Sequence, residues 1–234
     1  SGYKPFEGDY RFFIIDDAHL LNEQAQNALL KFLEEPNPAT IIILITSQIF
    51  SLLDTVISRC REIKFLPLSP SELTQILEAE TDIDADKKSL TLSVASGSAG
   101  KAIEIANDDN FWKKREKLFS LMEKLPDGNL KDIMSFLDGF KLIRQDVKGI
   151  EALFDMLISW FRDLAIVKVG SSDGLLINKD YKNTLTNLAL YYNLSDILAL
   201  QEHISELRKV IFENNANIKL GLERLFIKIK QTAL

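Results

Sequence analysis

The sequence predicts an α/β segment followed by an all-α region. Two strand-length apolar runs, Phe12-Phe13-Ile14-Ile15 and Ile41 to Ile45, flank an amphipathic helix. A strand, a helix and a strand in succession imply a parallel pair, which needs such a crossover. After about residue 66 the strand pattern stops, and apolar positions recur only at helical spacing.

Tyr10 to Ile15 is the first strand. Asn22 is placed to cap the next helix, whose Ala25, Ala28, Leu29, Phe32 and Leu33 share a face. Glu34-Glu35-Pro36-Asn37-Pro38 ends that helix, because proline cannot continue it and restricts the residue before it. Ile41 to Thr46 reads as a second buried strand, the stretch around Phe50 to Ile57 as helical, and Glu62 to Leu66 as a third short strand.

Pro67, Pro70 and the candidate caps Ser69 and Ser71 open the helical region. Leu73, Ile76 and Leu77 mark one helix, Leu90, Leu92, Val94 and Ala95 a second, and Ala102, Ile103 and Ile105 a third. From Phe111 long amphipathic helices run to the C-terminus, broken at Pro126-Asp127-Gly128 and at Gly170 to Gly174. The stripe Leu153, Phe154, Leu157, Trp160, Phe161 and Leu164 is a bundle core. Two further stripes, Ile197, Leu200, Ile204, Leu207, Ile211 and Ile218, Leu222, Leu225, Ile229, exceed the apolar surface a small domain needs and are expected to dock a partner.

Composition narrows the function. A net charge of −6 gives no general basic surface, which disfavours strong DNA binding by the chain alone. A single cysteine, Cys60, excludes an internal disulfide or a cysteine-rich zinc site, and reads as a small buried packing residue. The two histidines, His19 and His203, are far apart, so no metal site is expected. The Ile41–Ile45 run falls far short of the ~20 apolar residues that span a bilayer. Ser1-Gly2-Tyr3-Lys4-Pro5 lacks the apolar core of a signal peptide, so a cytoplasmic location is expected. The opening without Met, directly before a strand, is expected of a fragment of a longer chain.

Phe12-Phe13-Ile14-Ile15-Asp16-Asp17 has the form of a Walker B strand, which carries carboxylates to the sheet edge where a magnesium-nucleotide sits. The complementary G-x-x-x-x-G-K-[ST] loop occurs nowhere in these residues. Ser96-Gly97-Ser98-Ala99-Gly100-Lys101-Ala102 approaches it, but Ala95 replaces the first glycine and Ala102 the magnesium-touching hydroxyl. That segment reads instead as a glycine turn before a helix, with Lys101 on a solvated face. No cofactor of the chain's own is expected.

Four motifs now carry a resemblance: Ile14 to Leu21, Asn27-Ala28-Leu29-Leu30-Lys31-Phe32-Leu33-Glu34-Glu35-Pro36, Ile45-Thr46-Ser47, and Ser58-Arg59-Cys60. Their order and spacing resemble bacterial clamp-loader subunits of DNA polymerase III, the gamma/tau and delta-prime types of the AAA+ class. Trp160 to Leu164, Leu176-Ile177-Asn178-Lys179-Asp180 and Asn215-Ala216-Asn217 through Leu225 resemble the delta-prime collar. The likeness covers most of the chain and is weakest between about 110 and 150. It implies the C-terminal part of an AAA+ α/β core at 1–66, a small helical lid at 67–108 and a helical collar for oligomerisation at 109–234.

The departures point to the delta-prime type. Asp17 stands where an ATPase of the class has a glutamate, and Gly100 stands where an active gamma-type lid carries an arginine. The resemblance then implies a non-hydrolysing stator. Asp16 and Asp17 would be remnants of the Walker B site, with Thr46 and Ser47 at the first sensor position. Arg59 would be an arginine finger reaching the neighbouring subunit's ATP, as its charge and planar donor fork suit phosphate oxygens; otherwise it is a surface arginine paired with Glu62 or another acid. Implied partners are gamma/tau and delta subunits, with the sliding clamp and primer-template DNA met through the complex. Two alternatives stay open: a gamma/tau-like ATPase whose phosphate loop lies upstream of Ser1, and an AAA+-related adaptor unconnected to clamps.

Overall fold

The first apolar run forms β1 (Arg11–Ile15) and the second β2 (Thr40–Leu44), paired in parallel from Arg11 beside Thr40 to Ile15 beside Leu44. The computed structural model describes residues 9–35, 37–83, 85–140, 146–213 and 216–233. Pro36 and Asn215, both within the sequence motifs, lie outside them. The chain divides into two units, Ser1–Leu66 and Pro67–Leu234, which are taken separately below.

In the first unit, α1 (Glu23–Glu34) provides the crossover. Asn22 Oδ1 accepts the Ala25 N–H at 2.8 Å, satisfying a donor the first turn cannot, and Glu23 complements the helix dipole. A 3-10 turn at Ile49–Ser51 leads to α2 (Asp54–Ile57). Three expectations need correction. Glu62 to Leu66 is not a strand, since the only sheet among the described residues is the β1–β2 pair. A strand exists by pairing, and no described edge pairs with this run, whose Ile63, Phe65 and Leu66 are exposed. Phe12, Phe13 and Ile14 are also exposed, because two strands and one crossover helix are too few to cover both sheet faces. On α1, Ala28 and Phe32 face solvent and the buried position is Gln26.

The second unit is all-helical. Ser69 and Glu72 form a capping box at the start of α3 (Pro70–Glu80), and Pro70 occupies the first turn, where its missing N–H costs nothing. Ser71 lies inside that turn and is not the cap. The chain continues through α4 (Ala85–Ala95) and α5 (Ala99–Asn107), with Leu73, Leu77, Ala95 and Ala102 forming a small core. Gly97 (φ +86°) makes the turn between α4 and α5, and its carbonyl accepts the Leu68 N–H at 2.9 Å. Lys101 is only partly solvated, because it is drawn into an ion pair. Its Nζ lies 2.7 Å from Asp155 Oδ2, a carboxylate that also takes Arg208 at 2.9 Å.

A bundle follows: α6 (Asp109–Lys124), α7 (Leu130–Gly139), α8 (Val147–Lys168), α9 (Lys182–Leu188), α10 (Leu194–Glu213) and α11 (Ile218–Thr232). The α8 stripe is its core: Leu153, Phe154, Leu157, Trp160, Phe161 and Leu164 are all buried. α10 lies along α8, and α11 packs on α7 and α10. The expected docking stripes are therefore used inside the bundle. Ile197, Leu200, Ile204, Leu222, Leu225 and Ile229 are essentially inaccessible, while Leu194, Leu198, Val210 and Leu220 are the exposed large apolar positions of these two helices. A stripe has only one apolar face, and here it is turned inward. Among the described residues no helix is long and apolar enough to cross a membrane.

Candidate functional site

Parallel pairing carries the ends of β1 and β2 to one edge of the sheet. Ile45 N–H donates to Ile15 O at 2.9 Å, and Ala18 N–H returns to Ile45 O at 2.8 Å. Asp16-Asp17 and Thr46-Ser47 thus emerge from adjacent strand ends. The chain bends sharply at Asp17, which is left-handed (φ 48°), and its N–H is held by Asp16 Oδ1 at 3.0 Å. Aspartate tolerates this conformation because a short polar side chain can bond locally. Thr46 Oγ1 accepts the Gln48 N–H at 3.0 Å and lies 3.4 Å from His19 Nδ1. The threonine is thus engaged in local turn bonding. Asp16, Asp17 and Ser47 are exposed. Two acids at a sheet edge repel phosphate oxygens, so this edge holds a nucleotide only with a divalent ion and a phosphate loop to complete it. Among the described residues no group of three or more His, Cys, Asp and Glu side chains forms a metal site.

Arg59 belongs to a different part of the unit. The turn after α2 is closed by Arg59 N–H to Val56 O and Cys60 N–H to Ile57 O, both 3.1 Å. The guanidinium folds back over it, donating through Nη1 to Thr55 O at 2.9 Å. Its Nη2 lies 2.7 Å from Glu34 Oε1, at the end of α1. Glu62 is not its partner; that acid lies 3.5 Å from Lys64. The structure therefore gathers Asp16, Asp17, Thr46 and Ser47 at one edge and leaves Arg59 apart, bonded to none of them. Cys60 is exposed rather than packed.

Two residues of this unit were not singled out from sequence. Gln26 is buried and fully used: Nε2 donates to Leu21 O (2.9 Å) and Ser51 O (3.1 Å), and Oε1 accepts Leu53 N–H (2.7 Å). It ties α1 to the segment that carries Arg59. A glutamine between Ala25 and Leu29 on an otherwise apolar face was the available signal. Glu34 is legible in the sequence as a helix end and as part of the Asn27–Pro36 motif, but not as the partner of Arg59.

In the second unit two of the three collar-like motifs, Trp160 to Leu164 and Leu176 to Asp180, meet in space. Asp163, fully buried on α8, accepts the N–H groups of Ile177 and Asn178, at 3.0 and 2.6 Å, on one oxygen. Arg162 donates to its other oxygen at 3.0 Å. Asn178 Oδ1 accepts Arg115 Nη2 at 2.9 Å, and Arg115 forks onto Asp180 at 2.7 and 2.8 Å. Arg115 lies beneath this segment, 4.5 Å from the Phe119 ring centroid.

The first unit thus presents a Walker B-like edge and the second is clasped by the Asp163–Asn178 knot, and the class of such a chain comes from its relatives. Residues 109–231 match the family described as DNA polymerase III, delta subunit, C terminal, and residues 2–69 match DNA polymerase III, delta subunit. The C-terminal match spans more than half of the chain, which belongs to this family. Over 225 residues it is 29% identical to the DNA polymerase III subunit delta-prime of Bacillus subtilis (strain 168), covering 96% of this chain and 67% of that protein. It is 26% identical to the tau subunit of the same organism, covering 84% of this chain and 39% of tau. With the delta-prime subunit of Escherichia coli (strain K12) it shares 34% identity over 53% of this chain and 37% of that protein.

Proposed function

We propose that this chain is a delta-prime-type, non-hydrolysing subunit of a DNA polymerase III clamp loader. It assembles with gamma/tau and delta subunits and helps load the sliding clamp onto primer-template DNA. In this reading 1–66 is the C-terminal part of an AAA+ core, 67–108 the lid and 109–234 the collar. Asp16, Asp17, Thr46 and Ser47 are the vestigial nucleotide edge, and Arg59 acts in trans on ATP held by a neighbour. The observation that carries this is that Arg59 is held by partners other than the edge residues. Arg59 sits on its own turn, exposed and bonded to none of the four edge residues, as a finger for another subunit's nucleotide must be. Gly100 supports the non-hydrolysing half. A side chain there would meet nothing within 4 Å, so packing does not impose glycine where an active lid would carry arginine.

Similarity to tau keeps the ATPase alternative in view, and one experiment separates them. The purified chain is expected to turn over ATP below about 0.1 s⁻¹, under the ordinary enzyme range. Faster turnover that Asp16→Ala abolishes would overturn the stator reading. In a reconstituted loader, Arg59→Ala is expected to leave assembly intact and to lower clamp-dependent ATP turnover. An arginine finger is worth about 10³ to 10⁵ in rate, although one finger among several in a ring costs less. Arg59→Lys is expected to be nearly as poor, because a point charge lacks the guanidinium fork.

A further inference from the structure

We propose that Glu34 is a competing counter-charge that parks Arg59 on its own subunit, so that the arginine must exchange a carboxylate for a phosphate when it engages a neighbour. This rests on the trans role given to Arg59 above. Both ends of the guanidinium fork are occupied: Nη2 lies 2.7 Å from Glu34 Oε1, and Nη1 donates to Thr55 O at 2.9 Å. The contacts differ in kind. Thr55 belongs to the arginine's own turn and orients its head, whereas Glu34 reaches in from the end of α1 and neutralises its charge.

The encounter is built into the fold. Gln26 fixes α1 to the same segment through Ser51 O and Leu53 N–H, eight residues before Glu34. At about 1.5 Å per residue the two attachments are about 12 Å apart along the helix. α1 therefore acts as a ruler that sets Glu34 at a defined reach from Arg59. The strength of the pair suits release. Its side chains are 36% and 52% exposed, and ion pairs in such settings contribute little. A phosphate offers more charge and accepts the fork bidentately, so it wins the exchange. The pair therefore lowers the availability of Arg59 without preventing its use.

The test uses a reconstituted loader containing the full chain and an ATP-hydrolysing gamma-type subunit, with clamp and primer-template DNA present. Glu34→Gln keeps an acceptor oxygen of the same reach and removes the charge. It is expected to raise ATP turnover at sub-saturating ATP by about two- to fivefold, the scale of an exposed ion pair. The gain should shrink as salt is raised, because screening weakens the pair in the wild type. It should vanish in an Arg59→Ala background. If Arg59→Ala itself leaves turnover unchanged, the trans role fails and this proposal with it. If Arg59→Ala slows turnover but Glu34→Gln leaves it unchanged or lowers it, only the parking role is overturned. An equal gain in the Arg59→Ala background also overturns it, since Glu34 would then act by another route.

Discussion

Asp163, with no exposed surface, accepts the backbone N–H of Asn178 at 2.6 Å. Such a charge is tolerable only when hydrogen bonds replace its hydration. Ile177 N–H, Asn178 Nδ2 and Arg162 supply the rest. Asn178 then hands on to Arg115, which forks onto Asp180, so a carboxylate on α8 and a guanidinium on α6 grip one irregular segment between them.

The first prediction follows from this grip. Asp163→Ala leaves two backbone donors without their acceptor and is expected to destabilise the helical unit by about 3 kcal/mol or more. Asp163→Asn is expected to be intermediate: one carbonyl can still serve the Ile177 and Asn178 N–H groups, but its NH₂ faces the Arg162 donor. Urea unfolding of both variants checks the order Ala, then Asn, then wild type. Equal midpoints for all three would mean the knot is energetically neutral.

Gln26 gives a second prediction with a pH signature. Gln26→Ala removes the partner of Leu53 N–H and of the Leu21 and Ser51 carbonyls, at an expected cost of about 2 to 3 kcal/mol. Gln26→Glu keeps the acceptor but sets a carboxylate oxygen against two carbonyls. Protonation turns that oxygen back into a donor, so the carboxyl has a raised pKa in the folded state. The variant's deficit is therefore largest at neutral pH and shrinks as pH falls toward about 5. Thermal melting across that range reads the sign, and a deficit that grows in acid would refute the assignment of the amide donors.

Two glycines of one segment should respond in opposite directions. At Gly97, with φ +86°, an added Cβ would lie 2.5 Å from Pro67 Cβ and 2.9 Å from Leu68 O. Gly97→Ala is expected to cost about 2 kcal/mol or more, from strain and collision together. Gly100 is exposed, near the start of α5, with nothing within 4 Å of an added Cβ. Gly100→Ala is expected to stabilise by up to about 1 kcal/mol, since it reduces unfolded-chain freedom and improves helix propensity. Paired melts of the two variants decide it, and a destabilising Gly100→Ala would mean that the open space is filled.

What could be read from the residues was whatever depends on near neighbours in the chain. The Asn22 cap, the Ser69 cap, the glycine turn at Gly97 and the α8 stripe are set by spacing within a turn or two, and they formed as read. The failures needed long-range knowledge. Whether Glu62 to Leu66 becomes a strand depends on a pairing edge, not on its own propensity. Lys101 looked solvated until α8 brought Asp155 beside it. Although their sensor and Walker B roles came from the resemblance, Thr46 and Asp16 could be placed near one edge, because the crossover makes the strands parallel and both end on the same side. Arg59's partner could not, because it depends on how far α1 extends past the α2 segment. Gln26 hid for a related reason: a polar residue on an apolar face signals a site only when its partners are known.

The last prediction concerns how the helical unit meets other subunits, given the proposed function. The periodic stripes of α10 and α11 were expected to dock a partner, but Ile204 and Leu225 are inaccessible, and a partner cannot touch them. Leu225→Ala is therefore expected to cost about 2 to 5 kcal/mol of stability, as a buried truncation does. Any loss of assembly should follow from unfolding. Leu194 and Leu198 differ, lying four residues apart on one face of α10 and exposed by 36% and 51%. A Leu194→Asp, Leu198→Asp double variant is expected to melt close to wild type, because exposed substitutions cost little. It should nevertheless fail to co-elute with a gamma-type subunit at about 10 μM, a concentration at which a specific interface is well populated. Normal co-elution of the double variant would move the docking face elsewhere on the bundle, with Leu220 on α11 the next position to charge.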